Sequence, residues 1–134
     1  MAEEQTGAQL QQFFQNWATA WRQLNLDELM SFYGPIMTFY KQDSFQSFSV
    51  DKNKLRRLKK KLFQETVNLK LEFSAPVCLL DPTDANLAML FFYQDYHSDN
   101  YQDKGYKALF LSRSRISGIQ EQWRIVAKFF IPIK

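Results

Sequence analysis

The chain has 134 residues, of which 46% are hydrophobic and 16% aromatic, so it is long and apolar enough to form one domain with a single core. The net charge of +3 does not by itself indicate a nucleic-acid-binding protein. One cysteine, Cys78, excludes an internal disulfide and a cysteine-based zinc site, and no apolar run reaches the roughly 18 residues of a membrane span.

The whole chain, 1–134, is expected to form this single domain, with residues 1–6 disordered or left over from cloning. Its start, "MAEEQTGAQL", is acidic and polar, whereas a signal peptide is basic and then apolar. No signal peptide is therefore predicted in the given sequence, and both a removed leader and a longer parent protein stay open.

An amphipathic helix is predicted close to the start. Thr6 and Gln9 have the spacing of a capping box. Apolar residues then recur at steps of three and four, which is the pattern of a helix with one buried face. These residues are Leu10, Phe13, Phe14, Trp17, Trp21 and Leu24.

A short second helix is predicted to follow. Asn25 is placed as an N-cap with Glu28 three residues later, and Gly34 and Pro35 are expected to stop the helix. The segment "PIMTFYKQ" then predicts a short strand, and "DSFQSFS" predicts a loop.

A third, strongly basic helix is predicted after Ser49, which is placed as its N-cap. Its expected buried stripe is Leu55, Leu58 and Leu62. Basic residues occupy most of the remaining surface, and the candidates for contact with an anionic partner are Arg56, Arg57, Lys59, Lys60 and Lys61. A solvated face is the alternative, and the absence of interleaved aromatic residues does not favour nucleic acid.

From residue 67 onward the apolar pattern has a period of two, which indicates strands. "VNLKLEF" alternates until residues 74–76 interrupt it as a bulge or bend, and "DPTDAN" is a turn. Three longer strands follow, "LAMLFFYQDYHS", "YKALFLSRSRI" and "WRIVAKFFIPI", with a second turn around Gly118. Helices first and a strand meander afterwards predict an α+β domain, with three helices packed against an antiparallel sheet.

The strand "LAMLFFYQDY" is apolar on both faces. A sheet that is covered by helices on one side is normally polar on the other, so the second apolar face needs a cover. We expect that cover to be a second copy, giving a homodimer through the outer sheet face, or a partner domain.

The order of elements, with Trp17 and Trp21 in the first helix, resembles the nuclear transport factor 2-like superfamily, which includes SnoaL-like and cystatin-like α+β proteins. That resemblance implies a sheet curved around the helices into a cone with a pocket at its open end. The later strands also look like the accessory domain of bacterial L,D-transpeptidase and L,D-carboxypeptidase proteins of the cell envelope. The matching residues are Phe92, Gln94, Tyr96, Ser98, Gly105, Lys107, Leu109, Leu111, Trp123 and Ile125.

This resemblance implies a periplasmic or envelope location and a peptidoglycan fragment or a partner domain as the binding partner; a stand-alone chain would be cytoplasmic. Two features depart from the family pattern. Lys128 stands where an acidic residue is expected, and no catalytic Cys/His domain accompanies the module. This chain alone is therefore not expected to perform transpeptidase chemistry.

The run from Phe91 to Leu111 predicts a hairpin that turns at Asp103 and Lys104, so that Ser98 faces Lys107. One sheet face then carries a polar strip suited to a carboxylate-bearing or carbohydrate ligand, or else a solvated strand end. In the cone implied by the resemblance, the pocket candidates are Trp17, Trp21, Tyr33, Tyr40, Gln94, Tyr96, Ser98 and Lys107. His97 and Asp95 fall on the opposite face without a third ligand, so no metal is expected.

The leading hypothesis is thus a non-catalytic ligand-binding or assembly module without a cofactor. A small enzyme of the ketosteroid-isomerase or SnoaL type is the alternative, and a dimerisation scaffold is the second. Such an enzyme needs a carboxylate base in an apolar pocket with a donor opposite it. Asp43 and Glu72 are the candidate bases and Tyr33 and Tyr40 the donors, but Asp43 is predicted in a loop and Glu72 on the outer face.

Overall fold

A computed structural model describes residues 2–41, 44, 46–114 and 122–133 of the chain. Three helices and seven strands lie within them. Their bounds are α1 Ala2–Arg22, α2 Leu26–Met30, β1 Tyr33–Tyr40, β2 Ser47–Asp51, α3 Lys52–Glu65, β3 Lys70–Phe73, β4 Val77–Leu80, β5 Leu87–His97, β6 Gln102–Ser114 and β7 Gln122–Pro132.

The strands form one sheet in the order β2-β1-β7-β6-β5-β3, with β4 also paired to β5. The helices pack on the concave side of this curved, unclosed sheet, which confirms the predicted α+β class. One detail differs, because β1 runs parallel to β7 while the other pairs are antiparallel. A parallel pair joins strands that are distant in sequence, so local turn signals do not reveal it.

Helix α1 carries the predicted aromatic face into the core. Phe14 is 3% exposed and Trp17 is 1% exposed. The helix begins at Ala2, so Thr6 lies inside it and the predicted capping box is wrong. Leu24 lies beyond its end with a φ of 52°, in the left-handed region, and is not part of the helical stripe.

Helix α2 has the predicted N-cap but a different end. The Asn25 side chain accepts a hydrogen bond from the backbone N–H of Glu28 at 3.2 Å. The helix stops at Met30, and Gly34 and Pro35 belong to β1 rather than ending the helix. The pairing of β1 with β7 is irregular between Tyr33 and Thr38, so the missing N–H of proline is tolerated there.

The predicted loop "DSFQSFS" is wrong in part, because residues 47–51 form the edge strand β2. The Ser49 hydroxyl lies 2.8 Å from the Thr38 hydroxyl across the β1–β2 pair, and so does not cap α3. Asp51 is the cap instead, accepting a hydrogen bond from the backbone N–H of Lys54 at 2.7 Å. Two serines in a short edge strand give little apolar signal, so the sequence pattern favours a loop.

Helix α3 is rotated relative to the prediction. Leu55 is buried, but Leu58 is 48% exposed and Lys59 takes the inward position. Leu62 and Phe63 complete the inner face, so the packed positions follow steps of four, three and one. The predicted stripe is therefore correct at its ends and wrong at Leu58.

The interruption at residues 74–76 divides the predicted first long strand region into β3 and β4, which pair with the same edge of β5. The backbone N–H of Ser74 donates to the carbonyl of Tyr93 at 2.9 Å, and its hydroxyl accepts from the backbone N–H of Tyr93 at 2.8 Å. Val67 precedes β3 and is 48% exposed, so the strict alternation begins later than predicted.

The β5–β6 hairpin turns at residues 98–101, not at Asp103 and Lys104. Lys107 is therefore opposite Phe92 instead of Ser98. The observed strand register thus differs from the predicted one by six residues. Because this number is even, every side chain stays on its predicted face of the sheet. Gln94, Tyr96, Ser98 and Lys107 are all buried on the concave face.

A bulge in β7 determines the position of Lys128. Leu111 pairs with Ile125, whereas Phe110 pairs with Ala127, so Val126 is the extra residue. The bulge reverses the alternation, and Lys128 lies on the same concave face as Ile125, opposite Leu109.

The outer face of the sheet is apolar and uncovered in the part of the chain that the structure describes. Its exposed side chains include Tyr40, Val77, Leu79, Leu87, Tyr106 and Ile131, each between 38% and 54% exposed. The second apolar face is therefore confirmed, while the partner that covers it stays a prediction.

Candidate functional site

The concave face is built on an aromatic wall from α1. The Trp17 ring contacts Phe14, Phe73 and Phe92, with centroid distances from 5.2 to 5.8 Å. Its indole N–H donates to the hydroxyl of Tyr33 at 3.2 Å. The buried indole N–H of Trp21 has no hydrogen-bond partner among the described residues. One hydrogen-bond donor on this wall thus has no acceptor among the described residues.

Tyr33, at the start of β1, is 2% exposed. Burial raises the pKa of its hydroxyl to about 12, and the indole N–H groups of Trp17 and Trp21 oppose that rise. Only the Trp17 group is in hydrogen-bonding geometry. Tyr33 therefore stays protonated at neutral pH and presents a neutral hydroxyl beside the aromatic wall.

The predicted polar strip contains two residues that serve the fold and two that do not. Tyr96 bonds with the hydroxyl of Thr66 at 2.6 Å, and the Ser98 hydroxyl donates to the carbonyl of Tyr101 at 3.3 Å. Gln94 is 7% exposed and Lys107 is 6% exposed, yet neither side chain has a hydrogen-bond partner in the described ranges. Their polar groups are available to a ligand.

Lys107 is joined on the concave face by Lys59 from α3 and Lys128 from β7, and we call these three residues the lysine triad. Each ammonium nitrogen lies over an aromatic ring. The distances to ring centroids are 4.7 Å from Lys59 to Trp21, 5.9 Å and 5.7 Å from Lys107 to Trp17 and Phe130, and 5.2 Å from Lys128 to Phe39. Three elements that are distant in sequence thus bring three cations to one aromatic surface.

The lysine triad is electrostatically strained. Burial lowers the pKa of Lys59 to about 7, with a further contribution from the charge of Lys128. Burial also lowers the pKa of Lys107 well below its ordinary value, and the charges of Lys128 and Lys59 add to this effect. The pKa of Lys128 is lowered by burial too, against an opposing effect of Asp103. Each positive charge therefore makes it less favourable for the other two lysines to hold a proton.

No ion pair relieves this strain within the described part of the chain, where the ion pair present joins Arg56 to Asp27. Asp103 acts on the triad at longer range, and its carboxylate accepts a hydrogen bond from the Tyr101 hydroxyl at 3.0 Å. A cation–π contact contributes about 0.5–2 kcal/mol. Burying an ion costs several kcal/mol, so the rings offset only part of the penalty.

Comparison with known families decides which fold family this arrangement belongs to. Residues 9–128 match the family described as the Cds6 C-terminal NTF2-like domain. The chain belongs to this family. The resemblance to the nuclear transport factor 2-like superfamily is thereby confirmed. No curated protein matches this NTF2-like domain.

Solved structures share the fold of this NTF2-like domain. Bd1075 of Bdellovibrio bacteriovorus has a TM-score of 0.70 at 19% identity over 95% of this chain and 40% of its own. A conserved protein of Planctomyces limnophilus reaches 0.71 at 12% identity, covering 97% and 99%. A ketosteroid isomerase-like protein of Erwinia carotovora atroseptica reaches 0.67 at 12%, covering 91% and 92%. The chain spans less than half of Bd1075, and these identities support a common fold only.

Two groups of predicted site residues lie elsewhere in this NTF2-like domain. Tyr40 is 47% exposed and contacts Phe110 on the outer face, away from the lysine triad. Of the α3 residues predicted to form an outward basic surface for an anionic partner, Lys59 is instead turned inward onto Trp21. The others remain exposed, namely Arg56, Arg57, Lys60 and Lys61.

The candidate catalytic and metal-binding side chains do not meet on the concave face. Glu72 is exposed and lies opposite Asp95 on the outer face, as predicted, and Asp43 lies outside the described residues. His97 is exposed on the same outer face. The described residues contain no group of three side chains placed to hold a metal ion, and none of their helices is long and apolar enough to span a membrane.

The lysine triad is not evident from the sequence pattern, for two local reasons. Lys59 follows Leu55 by four residues, and this helical spacing indicates the inner face. A lysine at such a position is nevertheless normally predicted to face solvent. Lys128 reaches the concave face only because of the bulge at Val126. The departure at Lys128 from the family pattern was the signal in the sequence that pointed to this place.

Proposed function

We propose that this NTF2-like domain is a non-catalytic ligand-binding and assembly module of a bacterial cell-envelope protein of the L,D-transpeptidase type, and that it holds peptidoglycan fragments on its concave face. The observation that carries the proposal is the buried pair Gln94 and Lys107, whose polar groups have no hydrogen-bond partner in the described residues. A ligand with amide and acidic groups would supply the hydrogen-bond partners that these two side chains lack.

Peptidoglycan fragments carry chemical groups that can bind the unpartnered side chains of the concave face. They carry amide carbonyls for Gln94, carboxylates for Lys107, and sugar rings with apolar faces that can pack on the partly exposed rings of Phe39 and Phe130. The envelope setting rests on the residue pattern of the β5–β6 hairpin.

An isomerase-like reaction is less well supported. That chemistry requires a carboxylate base in an apolar pocket. The buried polar residues in the described ranges are Gln94, Ser98 and Lys107, none of which is a carboxylic acid.

A dimerisation scaffold is favoured by one observation, the apolar outer face, and light scattering of the purified chain tests it.

The binding proposal is tested by titrating the ¹⁵N-labelled chain with a disaccharide tetrapeptide muropeptide. Amide signals of residues 92–94 and 105–107 should move, and Gln94→Leu should weaken binding about tenfold, the worth of one well-made hydrogen bond. The matched control is Gln102→Leu, because Gln102 is exposed on the outer face opposite His97. Unchanged spectra at millimolar ligand, or shifts confined to the outer face, would contradict the proposal.

A further inference from the structure

We infer that the lysine triad is an anion-binding site, which receives a carboxylate or phosphate group carried on a ligand with a ring-like apolar body. The inference rests on the proposed function and specifies the chemical class of its ligand. Lys59, Lys107 and Lys128 come from three different elements, and no described residue pairs with them. Three converging amino groups, with no carboxylate at ion-pair distance among the described residues, fit an anion that is absent from the folded chain alone.

The surroundings of the lysine triad favour an organic anion. Phe39 and Phe130 are only partly buried, lie beside the ammonium groups of Lys128 and Lys107, and offer flat apolar surfaces. The unpartnered indole N–H of Trp21 adds a neutral donor. An acidic group can therefore bind the cations while the rest of the ligand packs against the rings.

The groups that face the triad also determine its response to pH. Asp103 on β6 is acidic, Tyr33 on β1 is a neutral hydroxyl, and the residues contributed by α1 do not titrate. Since burial lowers the pKa of all three lysines, a bound anion raises it again and draws protons from solvent. Anion binding is expected to take up protons and to weaken as the pH rises above about 7.

The test compares two sugars that differ by one acidic group, together with inorganic phosphate. N-acetylmuramic acid carries a carboxylate that N-acetylglucosamine lacks. At pH 7 the acid should bind the full chain about tenfold or more tightly than the neutral sugar, because a charge-assisted hydrogen bond is lost with the carboxylate. Competition between phosphate and N-acetylmuramic acid shows which of the two anionic groups the site prefers.

The variants Lys107→Met and Lys128→Met should each weaken anion binding about tenfold or more. Lys54→Met is the matched control, since it removes the same charge from an exposed position on α3 and should change binding less than about twofold. If either triad variant fails to fold, calorimetry of the wild-type chain in buffers of different ionisation enthalpy decides instead. Proton uptake near pH 8 supports the anion site, and binding without proton uptake overturns it.

The outcomes separate this inference from the proposed function. Phosphate binding through the triad without any muropeptide binding supports the anion site and contradicts the peptidoglycan proposal. Muropeptide binding that is unchanged in Lys107→Met and Lys128→Met overturns the anion site and leaves the proposed function in place. If no anionic probe binds the wild-type chain at millimolar concentration, the anion site is wrong.

Discussion

The ammonium group of Lys107 lies between the rings of Trp17 and Phe130, on a stretch of β6 where the neighbouring inward residues are Gly105 and Leu109. Its stem fills space in the core, but its charge is left without an ionic partner among the described residues. In the proposed site, Lys107 would therefore lower stability while it provides a binding group, which is the usual compromise at functional sites.

Replacing Lys107 with methionine separates these two effects. Methionine keeps most of the volume and removes the buried charge, so Lys107→Met should raise the free energy of unfolding by about 1–3 kcal/mol while anion binding is lost. Denaturant unfolding measures the first change and ligand titration the second. Lys54→Met should change stability by less than about 0.5 kcal/mol. A clear loss of stability in Lys107→Met would show that the lysine serves the fold.

Lys59 gives a pH-dependent prediction. Its pKa of about 7 in the folded protein is below the ordinary value of 10.5, so the unfolded chain holds the proton more strongly. Below pH 7 the lysine is charged in both states and the burial penalty is fully present. Between pH 7 and 10.5 folding releases the proton, and stability rises by at most about 1.4 kcal/mol per pH unit.

This effect is measured by denaturant unfolding between pH 6 and pH 9. The chain with Lys59→Met should be more stable than the wild type at pH 6, and the difference should shrink as the pH rises. A difference that does not change with pH would mean that Lys59 keeps its proton throughout this range.

The strand pair β6–β7 shows how backbone packing shapes the site. A Cβ atom at Gly105 would lie 2.1 Å from the carbonyl oxygen of Ile131, so only glycine fits. Beside this close approach, Lys107 pairs with Phe130 and Lys128 pairs with Leu109. The position of two lysines of the triad thus depends on the tight contact of the two strands.

Gly105→Ala should therefore separate β6 from β7 and lower the free energy of unfolding by about 1–3 kcal/mol. Gly7→Ala is the control, because no atom lies within 4 Å of the added methyl group on α1, and it should stabilise the protein by about 0.5–1 kcal/mol. Thermal unfolding distinguishes the two. Equal stability of Gly105→Ala and the wild type would contradict the described packing of this strand pair.

Helices and strands differed in how well their side-chain pattern predicted them. The α1 stripe and the three long strands follow clear periods of 3.6 and 2, and the Asn25 cap is a local signal, so all were predicted. The inward position of Lys59 and the bulge at Val126 depend on packing against other elements. A single-sequence pattern does not contain that information, and the lysine triad was missed for this reason.

In the molecule as a whole, the α+β class was predictable because it follows from the order of elements. The parallel contact of β1 with β7 was not, since it joins segments about eighty residues apart without a local turn to mark it. The face assignment of Gln94 and Lys107 survived an incorrect hairpin register because the slip was even. The sheet face on which a side chain lies was thus predicted better than the residue that it pairs with on the neighbouring strand.

The two faces of the sheet carry different kinds of side chain. The concave side combines aromatic rings with three cations, and the convex side exposes aromatic and aliphatic residues such as Tyr106 and Val77. We therefore propose that a ligand binds on the concave side. An apolar partner surface is expected on the convex side, where the cover remains a prediction.

We propose that the lysine triad is held partly uncharged until an anion binds. Nuclear magnetic resonance of the lysine Hε–Cε groups, followed against pH with and without N-acetylmuramic acid, tests it most directly. We expect Lys59 in the free protein to titrate with a pKa of about 7, and this pKa to rise by about 1 or more when the acid binds. Titration of all three lysines near 10.5, unchanged by the ligand, would contradict it.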